Sequence, residues 1–523
     1  MTFGDKGTRK DLILGDGLRL NALKCPEREA LVYQDRRFSY RELNERVNRL
    51  ANALIVRGFS KGDKIALLLH NCNENLEIFL GLAKTGIVSV PMTYRAIGKD
   101  LVYMINHSDA KGFIFGEEFE EIVQAIKPEI RGVREFWAVG RKNPPWAANY
   151  EDLLLSGSDL EPGVSVQETD PIWIAYTSGT TGVPKGVVGS HRGWVLQISL
   201  SAMELKIYED DTFLNTGPLY HVAPYWSCLS ILYLGGKVVV MREFDSVAAL
   251  RLIEQEKITV ASMVPTMFNR ILNLPEKEKR KWDLRSLRVV KVGTAPLLTK
   301  TKEEILKFFS SAHLYEFYAA TELGQVTILK PEDQMRKVRC CGKPFPGVEI
   351  KLLNDEGKEV TTGEVGELFM QGFNTFDEYY KNPEATKASR RGEWISVGDM
   401  ARMDEEGYYY IVDRKKDMVI SGGVNIYPVE IDEVIQKHPK VLEVAVVGVP
   451  DEVWGESLKA VVVLKETGGA TEEEIRKFCE GKLAKYKIPR SVEFVSSLPK
   501  TPSGKIQKSI IRAQYWSGRE AKV

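Results

Sequence analysis

Short β-branched runs alternate with helix-like patterns along most of this chain. Residues 75–85 have the apolar spacing of a helix and are followed by the apolar run 87–90. The same order recurs where residues 258–264 predict a buried strand and residues 265–272 predict the start of a helix. Regular alternation of this kind is typical of layered α/β folds, in which helices cover a sheet. The chain is therefore predicted to have an α/β fold.

The chain is too long for one ordinary hydrophobic core. Its 523 residues exceed the roughly 100–200 residues that a domain usually contains. The pattern changes after residue 400, where residues 407–412 predict a short strand and residues 413–417 form a charged break. This break marks the predicted boundary between a large domain, 1–414, and a small domain, 415–523.

The small domain has its own strands and helices. Residues 444–447 and 458–464 are predicted strands. A helix is predicted to begin at Thr471, whose hydroxyl can cap the first turn while Glu474 closes a capping box. We therefore expect a small α+β unit at this end of the chain.

The charge balance and the cysteines limit the partners and the compartment that the sequence suggests. Lys plus Arg and Asp plus Glu both number 72, so no net field attracts a polyanion and nucleic acid is not an expected partner. The six cysteines include no CxxC pair, which is typical of reduced thiols in a cytoplasmic protein. Apolar stretches fall short of the roughly 18 residues that span a bilayer, so no transmembrane segment is expected. Peripheral membrane contact and association into a homodimer are left open.

The strongest local signal is a loop rich in hydroxyls and glycine, residues 177–186, which follows the apolar run 172–176. Its small and hydroxyl-bearing residues can line a phosphate chain, because glycine lets the backbone approach closely. The loop is not a Walker A motif, since Pro184 interrupts the Gly-Lys-Ser/Thr sequence which that motif needs. A simple Ser/Thr/Gly turn is the alternative interpretation. The residues assigned to phosphate binding are Thr177, Ser178, Gly179, Thr180, Thr181, Gly182 and Lys185.

This loop resembles the phosphate loop of the adenylate-forming (AMP-binding) superfamily, and further motifs of that superfamily recur in order along nearly the whole chain. The resemblance is to its acyl-CoA synthetase branch, which includes the fatty-acid CoA ligases. It implies a large N-terminal domain of stacked α/β sheets with a β-barrel-like subdomain, and a small mobile α+β C-terminal domain. It also implies that Lys185 contacts the β- and γ-phosphates of ATP.

Two further segments match the superfamily around the acyl group and the adenine. His221 ends a Pro-Leu-Tyr-His stretch that resembles the family segment lying against the acyl pocket, which assigns His221 to the catalytic residues, although a buried core histidine is the alternative. Residues 293–296 resemble the turn that holds adenine through its backbone, which assigns Thr294, Ala295 and Pro296 to the nucleotide. Thr294 stands where the family usually has a second glycine.

Residues 315–322 resemble the family's Tyr-Gly-x-Thr-Glu motif. Its aromatic face, hydroxyl and carboxylate can serve adenine, the α-phosphate and Mg²⁺ respectively, because Mg²⁺ prefers one or two carboxylates plus phosphate oxygens. Ala319 is small where acetate-specific members carry tryptophan, so the expected acid is longer than acetate. The residues assigned here are Glu316, Phe317 and Tyr318 for the nucleotide, Thr321 for catalysis, and Glu322 for catalysis and the metal.

Asp399 and Arg414 match the family residues that contact the ribose, although Val397 replaces the usual threonine before the aspartate. Lys416 matches the pivot of a hinge whose usual first glycine is Asp413 here. A charge run of this kind is otherwise a solvated surface. The resemblance therefore predicts that the small domain rotates about Lys416.

Two motifs of the small domain predict one role in each step of the reaction. Ser421, Gly422 and Gly423 resemble the loop that forms the pantetheine tunnel for coenzyme A, where a tight turn before a helix is the alternative. Lys505 follows a Pro-Ser-Gly turn and matches the C-terminal catalytic lysine. Together with Mg²⁺ on Glu322, Lys505 would neutralise the two anions that meet when a carboxylate attacks ATP.

The motifs predict an ATP-dependent acid:CoA ligase that uses ATP, Mg²⁺, coenzyme A and a small carboxylic acid. Residues 321–334 resemble fatty-acyl-CoA ligases more than acetate or aromatic ones, and this resemblance implies a medium- or long-chain fatty acid, with an aromatic, alicyclic or branched acid as the alternative. Val222 follows His221 where an amino-acid-activating domain would have an acidic residue. A luciferase and a non-CoA adenylating enzyme remain more remote alternatives. A nucleic-acid ligase is disfavoured because the Lys-x-Asp-Gly motif is absent. At the Asp-Gly pair that begins with Asp16, the position of the required lysine is occupied by Leu14.

Overall fold

The computed structural model describes residues 11–177, 183–295, 297–466, 468–500 and 506–516. The described residues group into two compact units, each discontinuous in sequence. Unit 1 comprises Met1–Val338, Phe345–Glu349 and Gln371–Ile395, and unit 2 comprises Arg339–Pro344, Ile350–Met370 and Ser396–Val523. The sequence-based division into 1–414 and 415–523 stays a prediction.

Strands and helices alternate along both units. In chain order the strands are β1 (Glu29–Tyr33), β2 (Arg36–Ser39), β3 (Lys64–Leu68), β4 (Val88–Pro91), β5 (Ala110–Gly116), β6 (Glu135–Val139), β7 (Ala148–Asn149), β8 (Pro171–Thr177), β9 (Lys185–Ser190), β10 (Thr212–Asn215), β11 (Lys237–Val240), β12 (Val260–Met263), β13 (Val289–Val292), β14 (His313–Ala320), β15 (Gly324–Leu329), β16 (Lys343–Pro344), β17 (Val348–Leu353), β18 (Val365–Gly372), β19 (Glu378–Tyr379), β20 (Arg390–Arg391), β21 (Trp394–Ile395), β22 (Asp399–Met403), β23 (Tyr409–Arg414), β24 (Val419–Ser421), β25 (Val424–Ile426), β26 (Val441–Asp451), β27 (Gly455–Leu464) and β28 (Ser491–Phe494).

The helices are α1 (Leu14–Lys24), α2 (Tyr40–Val56), α3 (Asn73–Thr85), α4 (Gly98–His107), α5 (Glu120–Ile126), α6 (Tyr150–Leu155), α7 (His191–Glu204), α8 (Val222–Leu234), α9 (Ser246–Gln255), α10 (Pro265–Leu272), α11 (Glu276–Lys279), α12 (Thr299–Phe308), α13 (Pro383–Ala388), α14 (Pro428–Gln436), α15 (Glu472–Cys479) and α16 (Lys508–Trp516). Short 3₁₀ segments occur at Glu117–Phe119, Lys127–Glu129, Pro331–Asp333, Lys415–Asp417 and Lys485–Lys487.

Two sheets organise unit 1. The strands of the first sheet in this unit run in the order β15-β14-β13-β12-β10-β11-β1-β2, and those of the second run in the order β19-β9-β8-β4-β3-β5-β6-β7. The pairings among β10, β11, β12, β13 and β14 are parallel, as expected when helices connect successive strands. The predicted α/β fold is confirmed.

The core of unit 1 follows from the apolar strands that the sequence indicated. Alternate residues of a strand point to opposite faces of its sheet, and Val290 and Val292 of β13 pack with Ile305 of α12 in one buried cluster. On the second sheet, Val88 and Val90 of β4 lie in a separate buried cluster. These buried strands hold the loops at their ends in place, and the site residues lie in those loops.

Unit 2 contains an antiparallel sheet in the order β25-β24-β27-β26, with β28 parallel to β27. The predicted Thr471 cap of α15 is present, since the Thr471 side chain accepts a 3.2 Å bond from the Glu474 backbone N–H. The Glu474 carboxylate accepts from the Lys440 ammonium at 2.9 Å and 3.2 Å instead of closing the predicted capping box. In the same unit β18, β22 and β23 pair as an open antiparallel path. The described strands therefore do not close into the β-barrel-like subdomain that the resemblance implied.

No helix in the described part of the chain is long and apolar enough to cross a membrane.

Candidate active site

The phosphate loop joins two antiparallel strands of the second sheet. Thr177 ends β8 and lies opposite Lys185, the first residue of β9. Both side chains are half-buried. Ser178, Gly179, Thr180, Thr181 and Gly182 lie outside the described residues, so their assignment to phosphate stays a prediction. The pairing of β8 with β9 places the two described members of the loop side by side.

Tyr379 connects this loop to the second predicted catalytic motif. Tyr379 lies on β19, which pairs with β9 beside Lys185. The Lys185 ammonium lies 5.1 Å from the centroid of the Tyr379 ring, within the range of a cation–π contact. The Tyr379 hydroxyl donates a 3.0 Å hydrogen bond to Oε1 of Glu322. Lys185 and Glu322, which are far apart in sequence, therefore share one tyrosine.

Burial keeps this tyrosine a neutral donor. The Tyr379 side chain is only 7% exposed, and burial, reinforced by the neighbouring Glu322 carboxylate, raises the pKa of its hydroxyl well above the ordinary value. The backbone carbonyl of Glu322 also accepts a 2.8 Å bond from Phe376 N–H. The turn that carries Thr321 and Glu322 is therefore fixed from two sides. The sequence analysis did not identify Tyr379.

His221 lies immediately before helix α8. Its backbone N–H donates a 3.1 Å bond to the carbonyl of Pro218, and its ring centroid is 4.5 Å from that of Tyr220. The residues that follow on α8 reach the motif of β14, since Val222, Trp226 and Thr321 all line one small cavity of ≈ 20 Å³. The start of α8 and the predicted catalytic Thr321 therefore line the same cavity.

The predicted adenine turn has an unusual backbone at the position that departs from the family. Thr294 has φ +67°, a left-handed conformation that costs a β-branched residue free energy and suits glycine. At Gly293, an added Cβ would lie 3.1 Å from the carbonyl oxygen of Phe317 on β14. Thr294 and Ala295 are exposed, so their backbone is accessible to a ligand. Pro296 lies outside the described residues.

The residues of β14 assigned to the nucleotide differ in their contacts. Phe317 and Tyr318 are half-buried. The Glu316 carboxylate pairs with the ammonium of Lys302 from helix α12, and burial raises its pKa. A role for Glu316 at the nucleotide stays a prediction, because its observed partner belongs to the scaffold.

Buried amides join three segments behind this site. The Gln197 side chain on α7 donates a 2.8 Å bond to Oε1 of Gln325 on β15. Its own oxygen accepts bonds from Gln325 N–H at 3.0 Å and from the Asn374 side chain at 2.9 Å. Ser201 donates to the same Gln325 oxygen at 2.6 Å. These four residues form the amide cluster, whose hydrogen bonds link all three segments.

Unit 2 brings together the two residues assigned to the ribose. Asp399 on β22 and Arg414 on β23 are paired in register, and Arg414 Nε donates a 3.1 Å bond to Oδ1 of Asp399. Asp399 is buried, whereas Arg414 is exposed. The guanidinium therefore holds the carboxylate that would accept the ribose hydroxyls.

Asp413, which replaces the usual glycine before the hinge, has a structural role. Its carboxylate accepts backbone bonds from Arg414 at 2.8 Å and from Val429 at 3.0 Å. Val429 is the second residue of α14, so Asp413 caps this helix with a favourable negative charge. Burial raises the pKa of Asp413. The departure from glycine therefore adds a contact between the strand before the hinge and the helix after it.

The predicted hinge and glycine turn have clear conformations. Lys416 lies in the 3₁₀ segment Lys415–Asp417, and its carbonyl accepts a 3.1 Å bond from Arg512 Nη1. Gly422 and Gly423 follow Ser421 with φ of 59° and 80°. Two successive positive φ values are typical of a tight hairpin turn and favour glycine.

A side chain at Gly422 would also have no room, because an added Cβ would lie 2.5 Å from Cε3 of Trp454. Around Gly423 there is no atom within 4 Å of such a Cβ. The second glycine is therefore required for its backbone alone and leaves open space beside it. Lys505 lies outside the described residues.

The Glu322 carboxylate is a suitable ligand for a Mg²⁺ ion that binds together with a nucleotide. Within the described ranges, no group of three or more His, Cys, Asp or Glu side chains could hold a metal by itself. Mg²⁺ commonly binds through one or two carboxylates plus substrate phosphates. The carboxylate of Glu322, which is oriented by the Tyr379 hydroxyl, is a donor of that kind.

Comparison with known proteins decides the family. The family model described as AMP-binding enzyme matches residues 18–380, and the model described as AMP-binding enzyme C-terminal domain matches residues 430–505. The chain belongs to the AMP-binding enzyme family. The resemblance that its motifs indicated is thereby confirmed.

Relatives match the AMP-binding enzyme along its full length. A long-chain-fatty-acid–CoA ligase of Mycobacterium tuberculosis is 34% identical over 509 residues, which cover 96% of this chain and 98% of that protein. A feruloyl-CoA synthase of an Amycolatopsis species is also 34% identical, over 94% of this chain and 97% of that protein. These relatives place the chain among the acyl-CoA ligases and confirm the predicted enzyme class, an acid–thiol ligase.

A solved structure extends the likeness to the nucleotide. The ATP-bound structure of MatB from Rhodopseudomonas palustris has 30% identity and a TM-score of 0.88, and the match covers 97% of this chain and 99% of that one. ATP binding by the AMP-binding enzyme is supported by this neighbour and by the family. The relatives differ in the acid named, so the family does not specify the substrate.

Proposed function

We propose that this protein joins a carboxylic acid to coenzyme A in two steps, through an acyl-adenylate. The observation that carries the proposal is the contact of Tyr379 with both Lys185 and Glu322. The lysine proposed to bind phosphate and the carboxylate proposed to bind Mg²⁺ therefore contact the same tyrosine, which suits a reaction at the phosphates of ATP.

In the first step a carboxylate oxygen attacks the α-phosphorus of ATP, the bond to the bridging oxygen breaks, and pyrophosphate leaves. Lys185 would bind the β- and γ-phosphates, and Thr321 would donate to the α-phosphate. Mg²⁺, when bound at Glu322, neutralises charge on the phosphate oxygens. Lys505 would bring a second positive charge to the approaching anions, and electrostatic stabilisation of this kind is usually the largest part of catalysis.

In the second step the thiolate of coenzyme A attacks the acyl carbon, the carbon–oxygen bond to AMP breaks, and AMP leaves. The thiol proton goes to solvent. Ser421, Gly422 and Gly423 would line the pantetheine arm, and the open space beside Gly423 supports this role. Since one site does not easily serve both steps, we propose that a domain of residues 415–523 rotates about Lys416 between them.

The proposed substrate is an acid longer than acetate, with medium- and long-chain fatty acids as the first class. The small Ala319 and the M. tuberculosis relative named as a long-chain-fatty-acid–CoA ligase support it. The feruloyl-CoA synthase of equal identity supports an aromatic acid as the second candidate. His221 would lie against the acyl chain, where α8 begins.

The compartment and assembly belong to the same proposal. Cys25, Cys72, Cys228 and Cys479 form no disulfide, which supports the cytoplasm as the location. Homodimerisation is proposed as the assembly, and sedimentation at working concentration tests it.

Lys505→Ala tests the division of labour between the two steps. We expect pyrophosphate exchange into ATP to fall by about 100-fold or more, as when one charge-stabilising donor is removed, while transfer from supplied acyl-AMP to coenzyme A survives. Lys500→Ala is the matched control, because Lys500 is an exposed neighbour that pairs with Glu443. Equal loss in both half-reactions would contradict the two-step assignment, and no exchange by the wild type with any acid would overturn the proposed function.

Lys416→Pro tests the hinge. A fixed backbone torsion at the pivot should slow thioester formation and spare pyrophosphate exchange. Lys416→Ala keeps the backbone free and serves as the control, so loss of thioester formation in both variants would instead implicate the side chain.

A further inference from the structure

Lys291 is a buried cation on the central strand β13. Its residue is only 7% exposed. The neighbouring Val290 and Val292 pack into the cluster on one face of the sheet, and Lys291 points to the other face, where its ammonium donates a 3.0 Å bond to the hydroxyl of Ser227 on helix α8. That hydroxyl donates in turn to the carbonyl of Ala223 at 3.1 Å.

This ammonium has no counter-charge among the described residues. Among the described residues, no carboxylate acts on its charge. Its nearest titratable neighbour is Cys228 on the same helix, and burial raises the pKa of that thiol, which keeps it neutral. A lysine ammonium can donate three hydrogen bonds, whereas Ser227 accepts one. A buried charge left in this state is costly unless a partner neutralises it.

Three predicted substrate-binding segments meet at Lys291. Ser227 lies on α8, the helix that begins after His221. The ammonium lies 5.2 Å from the ring centroid of Phe317 on β14, the strand that leads to Thr321. Lys291 itself stands two residues before Gly293 of the adenine turn. The cation therefore belongs to the wall between α8 and β14, where the acyl chain of the proposed reaction would lie.

We propose that the acid which this enzyme activates carries a second carboxylate, and that Lys291 binds it. The inference rests on the proposed function and narrows its substrate to dicarboxylic acids. The second carboxylate would supply the counter-charge and the acceptors that the ammonium lacks, while the first is adenylated. Burial lowers the pKa of Lys291 to about 8, so most molecules carry the charge at pH 7.

Two sequence spacings bracket the length of the acid. Each runs from a residue that contacts Lys291 to a residue predicted to lie at the active site. Ser227 follows His221 by six residues along α8, which corresponds to about 9 Å at the helical rise. Phe317 precedes Thr321, the residue after the end of β14, by four residues, which corresponds to at most about 13 Å at the strand rise. The two carboxylates should therefore be separated by roughly 9–13 Å. A straight-chain diacid from suberic to sebacic acid suits this span, whereas malonic acid is too short.

The test compares diacids and monoacids of equal length. CoA-dependent AMP release is measured for octanoic against suberic acid and for decanoic against sebacic acid, in the wild type and in Lys291→Met. We expect kcat/KM of the wild type to favour the diacid, and the ratio of diacid to monoacid to fall by about 30-fold or more in the variant, since truncating one partner of a buried charge pair has an effect of this size. Lys291→Arg should restore most of the ratio.

Controls separate this inference from the proposed function and from misfolding. Lys300→Met makes the same change at an exposed position of α12 and should leave the ratio unchanged. Thermal melting checks the fold, and removal of an unpaired buried charge should not lower the melting temperature. A wild type that uses monoacids but not diacids, or a ratio that Lys291→Met does not change, overturns the inference alone. Absence of any acid-dependent AMP release overturns the proposed function as well.

Discussion

Tyr379→Phe removes one hydroxyl from the contact between the phosphate loop and the predicted metal ligand. The ring stays, and with it the contact with the Lys185 ammonium at 5.1 Å. The lost interaction is the 3.0 Å hydrogen bond to the Glu322 carboxylate. Tyr379 is therefore a positioning residue, and the substitution isolates its effect on Glu322.

The size of the effect follows from the bond that is lost. A hydrogen bond to a charged group contributes about 1.5–3 kcal/mol, and each 1.4 kcal/mol corresponds to about tenfold in rate. Glu322 keeps its backbone bond from Phe376, so part of its orientation survives. We expect kcat/KM for pyrophosphate exchange to fall by about tenfold, and the Mg²⁺ concentration for half-maximal rate to rise.

The assay is pyrophosphate exchange over a series of Mg²⁺ concentrations, with transfer from supplied acyl-AMP measured alongside. Tyr380→Phe is the matched control, since this adjacent hydroxyl donates a 2.8 Å bond to Asp109 and not to the site. Transfer from acyl-AMP should change less than exchange. If Tyr379→Phe and Tyr380→Phe have the same exchange rate and the same Mg²⁺ dependence, the hydroxyl does not position Glu322 and the reasoning fails.

Two further predictions concern stability. Thr294→Gly should melt higher than Thr294→Ala, because a left-handed residue other than glycine costs about 1–2 kcal/mol and Thr294 has φ +67°; the opposite order would contradict the observed backbone. His191 is fully buried, and burial lowers its pKa to about 4. As the pH falls below about 6.5, the His191 imidazole is therefore protonated in the unfolded chain before it is protonated in the folded protein. The free energy of unfolding should fall by about 2 kcal/mol between pH 7.5 and pH 5. Denaturant unfolding should show this loss in wild type and in the control His313→Gln, and a smaller one in His191→Gln.

The periodic elements were predictable because their signal is local. The helix predicted for residues 75–85 is Asn73–Thr85, and the strand predicted for 258–264 is Val260–Met263. The helix predicted from residue 265 is Pro265–Leu272. Each is bounded by residues whose capping or backbone preference acts within a few positions. The expected barrel-like closure was wrong, because strand pairing depends on contacts far apart in sequence.

Some site residues could be predicted from local motifs, whereas others depend on strand pairing that the sequence does not reveal. Asp399 and Arg414 were assigned from motifs, and the pairing of their strands places them in contact. Tyr379 was missed because it and Tyr380 are adjacent and alike, and only the pairing of β19 with β9 decides which one faces Glu322. Lys291 was missed because its run of valines indicates a buried strand, and a strand pattern gives no sign that a cation is accommodated there.

The amide cluster has a consequence for anyone who wishes to redesign the acyl pocket. Gln197, Gln325 and Asn374 come from α7, β15 and the loop before β19, and each one is hydrogen-bonded to the other two. Exchanging one of them alone strands a polar atom in the interior, at a cost of about 1–3 kcal/mol. Their identities should therefore change as a set, and a combinatorial library that varies the three positions jointly should yield folded enzymes where single exchanges do not.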